Sequence, residues 1–557
     1  MARIPTLHQM ARDLEASGGL PGEAQVRAML ESADEGRRAS GILLRACLLH
    51  RAGRDEDALS ELIASRTSLG CVPLPIMANI VWLSVRLGRL QRAAHECVAF
   101  GADCFRMSYW DLGLEACCAG LILDALGDYE IHKDPSKSLE VAAMYEQAAA
   151  RLIKRSSPVN RAVVGTDRLN VAMIVPNLVD NVVAYTKCAL YFGRHFDRSK
   201  YSLAVYVSEN SSRRSAPMFP FGLAAGASEQ SGRATLAELS RLGVPVVICR
   251  RDLRFTEAAL DLAGRLEADG VDIAVFQTGL ACPIDWIAAR IARVPVKAAI
   301  HIGSSLFNRG LDATFFDNPA NLEREAAFWT ADMGRRMLLR QGTDIVDLGA
   351  QQAWPRSRFG IPDDATVVGC MSNHLDRRLS EPYMALIADA LRANPKAWFL
   401  AFGSDTIEAK VQFFRERGVA DRVRFGGRQT QSGRGLRVLD IYANEFPVGG
   451  SQSVVEAMAC GVPVVAMKWS DAHAESAGAL LVGPEYGVQR RDLDAYAALL
   501  GLWLRDPGAR RKAGAAMRAR AESCFSVRSY VSALLDECVR ILEGKQRSGE
   551  TGKSTDQ

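Results

Sequence analysis

Past Pro158 the hydrophobic pattern of the chain changes, and that change restricts the possible folds more than any other feature. Residues 1–158 read as helices only. After them, short apolar runs alternate with amphipathic stretches of helical length, the pattern of parallel strands connected by helices. The first runs are Asn170–Pro176, Leu203–Val207, Val244–Cys249, Val271–Gln277, Lys297–Ile302 and Ala313–Phe316. Helices are expected near Thr186–His195, Ala234–Leu242, Glu257–Asp269 and Asp285–Ala292. A second set has strands at Thr366–Met371, Trp398–Phe402, Val423–Phe425, Val438–Tyr442 and Val462–Met467. Its helices fall at Tyr383–Ala393, Ile407–Arg417, near Leu493–Leu504, and at Pro507–Ala521. Two such sets predict an α/β fold of two facing Rossmann-like domains, with a ligand in the cleft at the carboxyl ends of the strands.

With 557 residues the chain is too long for one ordinary core. The expected boundaries are a helical domain at 1–158, Rossmann-like domains at 165–350 and 360–525, a bracing helix at 526–544, and a disordered polar tail at 545–557. Within the helical part, Gly53, Gly88 and Gly127 each follow a helical run and begin a turn. Their spacing resembles degenerate tetratricopeptide-like helical pairs, and a plain helical bundle is the alternative.

Composition excludes several functions. The 68 basic and 64 acidic residues leave a net charge of +4, which gives no reason to propose a nucleic-acid partner or a charged membrane surface. No apolar run approaches the length of a membrane span, and Met1–Leu20 lacks the continuous apolar core of a signal peptide. The 13 cysteines show no CxxC and no paired metal spacing, so reduced thiols in a cytoplasmic protein are expected, with no metal and no bound cofactor.

The stretch Phe446–Val465 carries the chemistry. Gly449 and Gly450 precede Ser451, Gln452 and Ser453, which open an apolar helix with Glu456 inside it, and the helix ends at Gly461. Glycines allow close backbone approach, and the first amides of a helix point at an anion. Such a turn suits a diphosphate, and Glu456 suits ribose hydroxyls.

Phe446, Pro447, Gly450, Ala457, Gly461 and Pro463 match, in register, the donor motif of protein O-GlcNAc transferases and bacterial protein N-glucosyltransferases, which this segment resembles. Glu456 stands at that family's ribose-binding aspartate, and Gln452 and Ser453 stand near its threonine pair. Val367–Arg378 is similar to the family's strand ending in Phe-Asn-x-x-x-Lys. It puts Asn373 on the asparagine and Arg377 on the lysine that neutralises the diphosphate. Val294–Ser305 and Leu311–Asp317 form a third match. The resemblance implies a glycosyltransferase of the GT-B fold, using a UDP-sugar as donor substrate, with GlcNAc or glucose as the sugar. A protein acceptor would be presented by the helical domain.

The chain also departs from the family. No counterpart of its acceptor-side histidine appears in Asn177–Asn181, and none of its uracil-side histidine after Phe425. Arg428 or Arg434 is the substitute expected near the phosphates. A retaining lineage carries a second glutamate where Val448 stands here, so inversion is expected. His301 and Asp180 are the candidate bases. An enzyme of polysaccharide or lipid-linked glycan synthesis, a nucleotide-sugar epimerase and a non-catalytic helical scaffold are the rival readings. A homo-oligomer is left open.

Overall fold

The structure is a computed structural model. It describes residues 5–16, 22–69, 72–127, 130–153, 168–179, 184–208, 232–302, 304–340, 342–372, 375–403, 407–471 and 477–553. Asp180 and Asn373 lie outside the described residues.

The helical domain runs through α1 (Leu7–Ala16), α2 (Glu23–Leu30), α3 (Glu35–Arg51), α4 (Asp55–Ser68), α5 (Leu74–Arg86), α6 (Leu90–Arg106), α7 (Trp110–Leu126), α8 (Glu130–Lys133) and α9 (Pro135–Ile153). Gly53 and Gly88 take φ of 74° and 72°, a conformation that only glycine adopts cheaply. Each closes its turn alike. The Arg54 amide donates to the Leu49 carbonyl at 2.9 Å, and the Arg89 amide to the Ser84 carbonyl at 2.7 Å. The pairs α3/α4 and α5/α6 are therefore tetratricopeptide-like repeats. Gly127 ends α7 differently, at φ −97°. The next left-handed turn is at Ser108, φ 65°, between α6 and α7.

The first α/β lobe contains β1 (Leu169–Val175), α10 (Ala184–His195), β2 (Tyr201–Val207), α11 (Arg233–Arg241), β3 (Val246–Ile248), α12 (Phe255–Ala268), β4 (Ile273–Thr278), α13 (Pro283–Ile291), β5 (Val296–His301), β6 (Ala313–Phe316), α14 (Pro319–Arg324), β7 (Arg335–Leu338) and α15 (Ile345–Ala350). The second contains β8 (Thr366–Ser372), α16 (Leu375–Arg378), α17 (Glu381–Ala393), β9 (Ala397–Gly403), α18 (Glu408–Glu416), β10 (Val423–Phe425), α19 (Ser432–Leu436), β11 (Ile441–Ala443), α20 (Gln452–Ala459), β12 (Val464–Met467), α21 (Ala477–Val482), β13 (Gly487–Val488), α22 (Leu493–Arg505) and α23 (Pro507–Cys524), and α24 (Val527–Lys553) follows. The sheets have the orders β3-β2-β1-β4-β5-β6-β7 and β10-β9-β8-β11-β12-β13. Their strand pairs are parallel. In each sheet the order reverses beside its first strand, between β1 and β4 and between β8 and β11. Ligands settle at such a reversal, outside the carboxyl ends of the strands.

The helical domain shares one apolar core with the first lobe. Tyr145 of α9 donates to the Leu280 carbonyl at 2.9 Å, and its ring meets Trp286 edge-on at 5.6 Å. The last helix returns from the second lobe to the first, where Val531, Leu534, Leu535 and Cys538 pack against β1, β2 and α10 residues. One boundary needs correction, because α24 continues past Gly544 to Lys553. Lys545, placed in a disordered tail by the sequence, is held by the Pro295 carbonyl at 2.8 Å and Asp312 Oδ1 at 2.7 Å.

Candidate active site

The glycine turn follows β11 and therefore sits at the reversal of the second sheet. Gly449, Gly450, Ser451, Gln452, Ser453 and Glu456 all lie on this turn and on α20. Both glycines are closely packed, and the Glu445 carbonyl, 2.6 Å from a Cβ at Gly449, leaves no room for a side chain there. A Cβ on Gly449 would sit 2.4 Å from Asn444 Oδ1, and one on Gly450 would sit 2.3 Å from Ser453 Oγ. Ser451 precedes α20 in αR conformation without capping it, and among the described residues no side chain bonds the first amides of the helix. The first amides of the helix are thus left to an outside acceptor. Ser453 Oγ is fixed by the Tyr442 hydroxyl at 2.9 Å, which also reaches the Met371 carbonyl of β8 at 3.3 Å.

The cation over this turn is Arg378. Its Nη1 lies 3.0 Å from the point where a Gly450 Cβ would stand. Arg377, assigned to the diphosphate from the sequence, points elsewhere. Its Nη1 donates to the carbonyls of Ala125 at 2.6 Å and Gly127 at 3.2 Å, at the end of α7. The carboxyl end of a helix offers unpaired carbonyls that favour a cation, and Arg377 takes them. Arg428 is exposed on the loop after β10, the edge strand, with β9 between it and β8. Arg434 is stacked on Trp354, 3.4 Å from the ring centroid.

Glu445 lies beneath the turn. Its Oε2 accepts from Asn444 Nδ2 at 3.2 Å and from the Gly450 amide at 3.5 Å, and among the described residues its Oε1 has no hydrogen-bond partner. Burial pushes its carboxyl above the ordinary range, against the pull of Arg378.

Glu456 faces the other lobe. Lys187 of α10 places Nζ 2.5 Å from Glu456 Oε1, and the two side chains are 13% and 2% exposed. Gln452 Nε2 approaches the same oxygen at 3.4 Å. Neither Lys187 nor Arg378 was found from the sequence.

His301, a candidate base from the sequence, ends β5 but is enclosed, and its burial speaks against that role. Its Nε2 is 3.0 Å from Glu325 Oε1, its ring stacks on Phe316 at 4.8 Å, and the side chain is 1% exposed. Among the described residues, no group of three or more His, Cys, Asp or Glu side chains is placed to hold a metal ion. Among those residues, no helix is long and apolar enough to cross a membrane.

Among solved structures, a Thermobaculum terrenum O-GlcNAc transferase mutant is similar over 98% of this chain and 98% of its own, at 18% identity and a TM-score of 0.53. A Rickettsia africae glycosyltransferase is similar over 68% of this chain and 99% of its own, at 11% identity and a TM-score of 0.52. The Anabaena protein Alr3699/HepE, in complex with UDP-glucose, is similar over 66% of this chain and 100% of its own, at 16% identity and a TM-score of 0.50. No protein-family model and no curated protein matches the sequence. The chain has the GT-B fold. Its likeness to the Thermobaculum protein covers the helical domain as well as both GT-B lobes, whereas the other two likenesses span about two thirds of the chain.

Proposed function

We propose that this chain is a glycosyltransferase that moves a sugar, GlcNAc or glucose, from a UDP-sugar to a protein side chain. The observation that carries the reading is the uncapped amino end of α20, which opens at the sheet reversal with Arg378 above it and Glu456 turned toward the opposite lobe. A diphosphate seated there meets amides and a guanidinium, which stabilise it most when negative charge builds on the departing group. The acceptor atom attacks the anomeric carbon, the bond to the β-phosphate oxygen breaks, and its electron pair leaves with UDP. A single displacement inverts the anomeric centre. Asp180, between β1 and α10 in sequence, stands as the candidate base for the acceptor's proton.

The protein acceptor is supported by the helical domain. The similar solved structure that includes this domain is an O-GlcNAc transferase mutant, and stacked helix pairs form concave peptide-binding surfaces. The test is a thermal-shift panel of nucleotide-sugars, followed by mass spectrometry of proteins co-expressed with the enzyme. A UDP-sugar should raise Tm, and a mass increment of one hexose or one N-acetylhexosamine should appear on protein. If no UDP-sugar stabilises the chain, the donor reading fails.

A further inference from the structure

Helix α10 directs one face at the hinge and the second lobe. Lys187, Tyr191, Arg194 and His195 follow the spacing that brings side chains to one side of a helix. Lys187 pairs with Glu456, the Tyr191 hydroxyl meets Thr343 Oγ1 at 3.2 Å, and Arg194 and His195 both reach Asp344 Oδ2 at 3.1 Å. The last three of these contacts hold the segment that joins the lobes. The first reaches into the candidate donor site itself.

We propose that Lys187 is a positioning residue for the nucleotide. It acts through Glu456, and so makes the ribose-binding carboxylate depend on apposition of the two lobes. The inference rests on the donor reading above and extends it to the opposite lobe. Among the described residues, both bonds to the Glu456 carboxylate fall on Oε1, from Lys187 and from Gln452. With Oε1 held, the plane of the carboxylate is set, and Oε2 is left to accept from a ribose hydroxyl. Without the ammonium, a carboxylate this buried carries an unpaired charge and has no reason to keep that orientation. Lobes drawn apart would remove Lys187 and disorganise the ribose site. Lobes drawn together would complete it. Lys187 thus couples nucleotide recognition to cleft geometry without touching the sugar.

The experiment compares UDP with 2′-deoxy-UDP by calorimetric titration of the full chain as wild type, Lys187→Met and Lys187→Arg. Wild type should prefer UDP by about tenfold, the scale of one hydrogen bond to a charged group. Lys187→Met should bring the two nucleotides to within about twofold of each other, and Lys187→Arg, which keeps the cation, should retain most of the preference. Binding of 2′-deoxy-UDP should stay near wild type in all three proteins, a readout that general unfolding would not spare. Lys187→Met with the wild-type preference intact, or with tighter UDP binding, overturns the proposal. So does a wild type that binds UDP but ignores the 2′-hydroxyl, and in both cases the donor reading stands. Wild type that binds neither nucleotide brings down the donor reading and this inference together.

Discussion

Arg377 and Arg378 are neighbours in sequence and serve different bodies of the molecule. Successive residues on a helix point about 100° apart, so on α16 one guanidinium meets the glycine turn while the other meets the end of α7. The sequence resemblance put the diphosphate cation at Arg377, one residue short of Arg378, because the outcome depends on where α7 lies in space. Arg378→Ala should weaken UDP binding by tenfold or more, corresponding to about 1.5–3 kcal/mol for a hydrogen bond to a charged group. Arg377→Ala should change UDP affinity less than about threefold while lowering Tm, because it frees two helix-end carbonyls rather than a ligand contact. Calorimetric titration with thermal unfolding separates the two variants, and a reversed ranking would return the diphosphate to Arg377. The glycine turn was legible in the sequence because its spacing is local. Lys187 was not, because its partner is 269 positions away.

The end of α7 shows how one element prepares the surface on which another docks. Asp124, fully buried, accepts from the amides of Ile131 and His132 at 3.0–3.1 Å, from His132 Nδ1 at 2.6 Å and from Gln91 at 2.8 Å. These bonds tie α8 to α7 beside the carbonyls that Arg377 uses. Burial would raise the Asp124 carboxyl, but the bonds from His132, Ile131 and Gln91 outweigh it and hold the group at about 2. A carboxyl whose folded value lies below its ordinary 3.8 stabilises the fold fully above that value. The contribution is lost as pH falls toward the folded value, so its window runs from about pH 4 to about pH 2. Asp124→Asn should therefore lower Tm at pH 7, and its deficit against wild type should shrink as the pH drops through that window. A deficit constant with pH would show that the carboxylate's charge is not what holds this corner. Elements were readable where their period was clean: β6 and β10 match the sequence reading end to end. The sequence reading lacked β7, which begins with two arginines at a sheet edge, and β13, only two residues long. It also lacked the Ser108 turn, since serine rarely takes positive φ.

At the scale of the whole molecule, the chain crosses between the lobes twice, and the two crossings are bonded to each other. The Thr343 amide donates to the Phe525 carbonyl at 2.8 Å, and the Val527 amide donates to the Thr343 carbonyl at 3.1 Å. Gly342 is what lets them meet. A Cβ there would lie 2.6 Å from the Val527 nitrogen and 2.7 Å from the Ser526 carbonyl carbon, both backbone atoms that cannot swing aside. The next residue, Thr343, carries the Tyr191 contact, so a disturbed crossing would pass directly to α10 and its Lys187. The sequence showed that a last helix could return to the first lobe, but the pairing of the two crossings is long-range and left no local pattern. Gly342→Ala should force the segments apart, with overpacking costing about 1–3 kcal/mol and each weakened bond about 1 kcal/mol. Tm should fall by several degrees, and UDP affinity should fall with it as Lys187 loses register with Glu456. Gly349→Ala, on α15, supplies the contrast: its added Cβ would find Arg518 Nη2 at 3.8 Å, an ordinary contact, and alanine favours a helix. Scanning calorimetry and UDP titration on both variants make the comparison. If Gly342→Ala keeps wild-type Tm and affinity, the double crossing is slack, and lobe apposition does not govern the donor site.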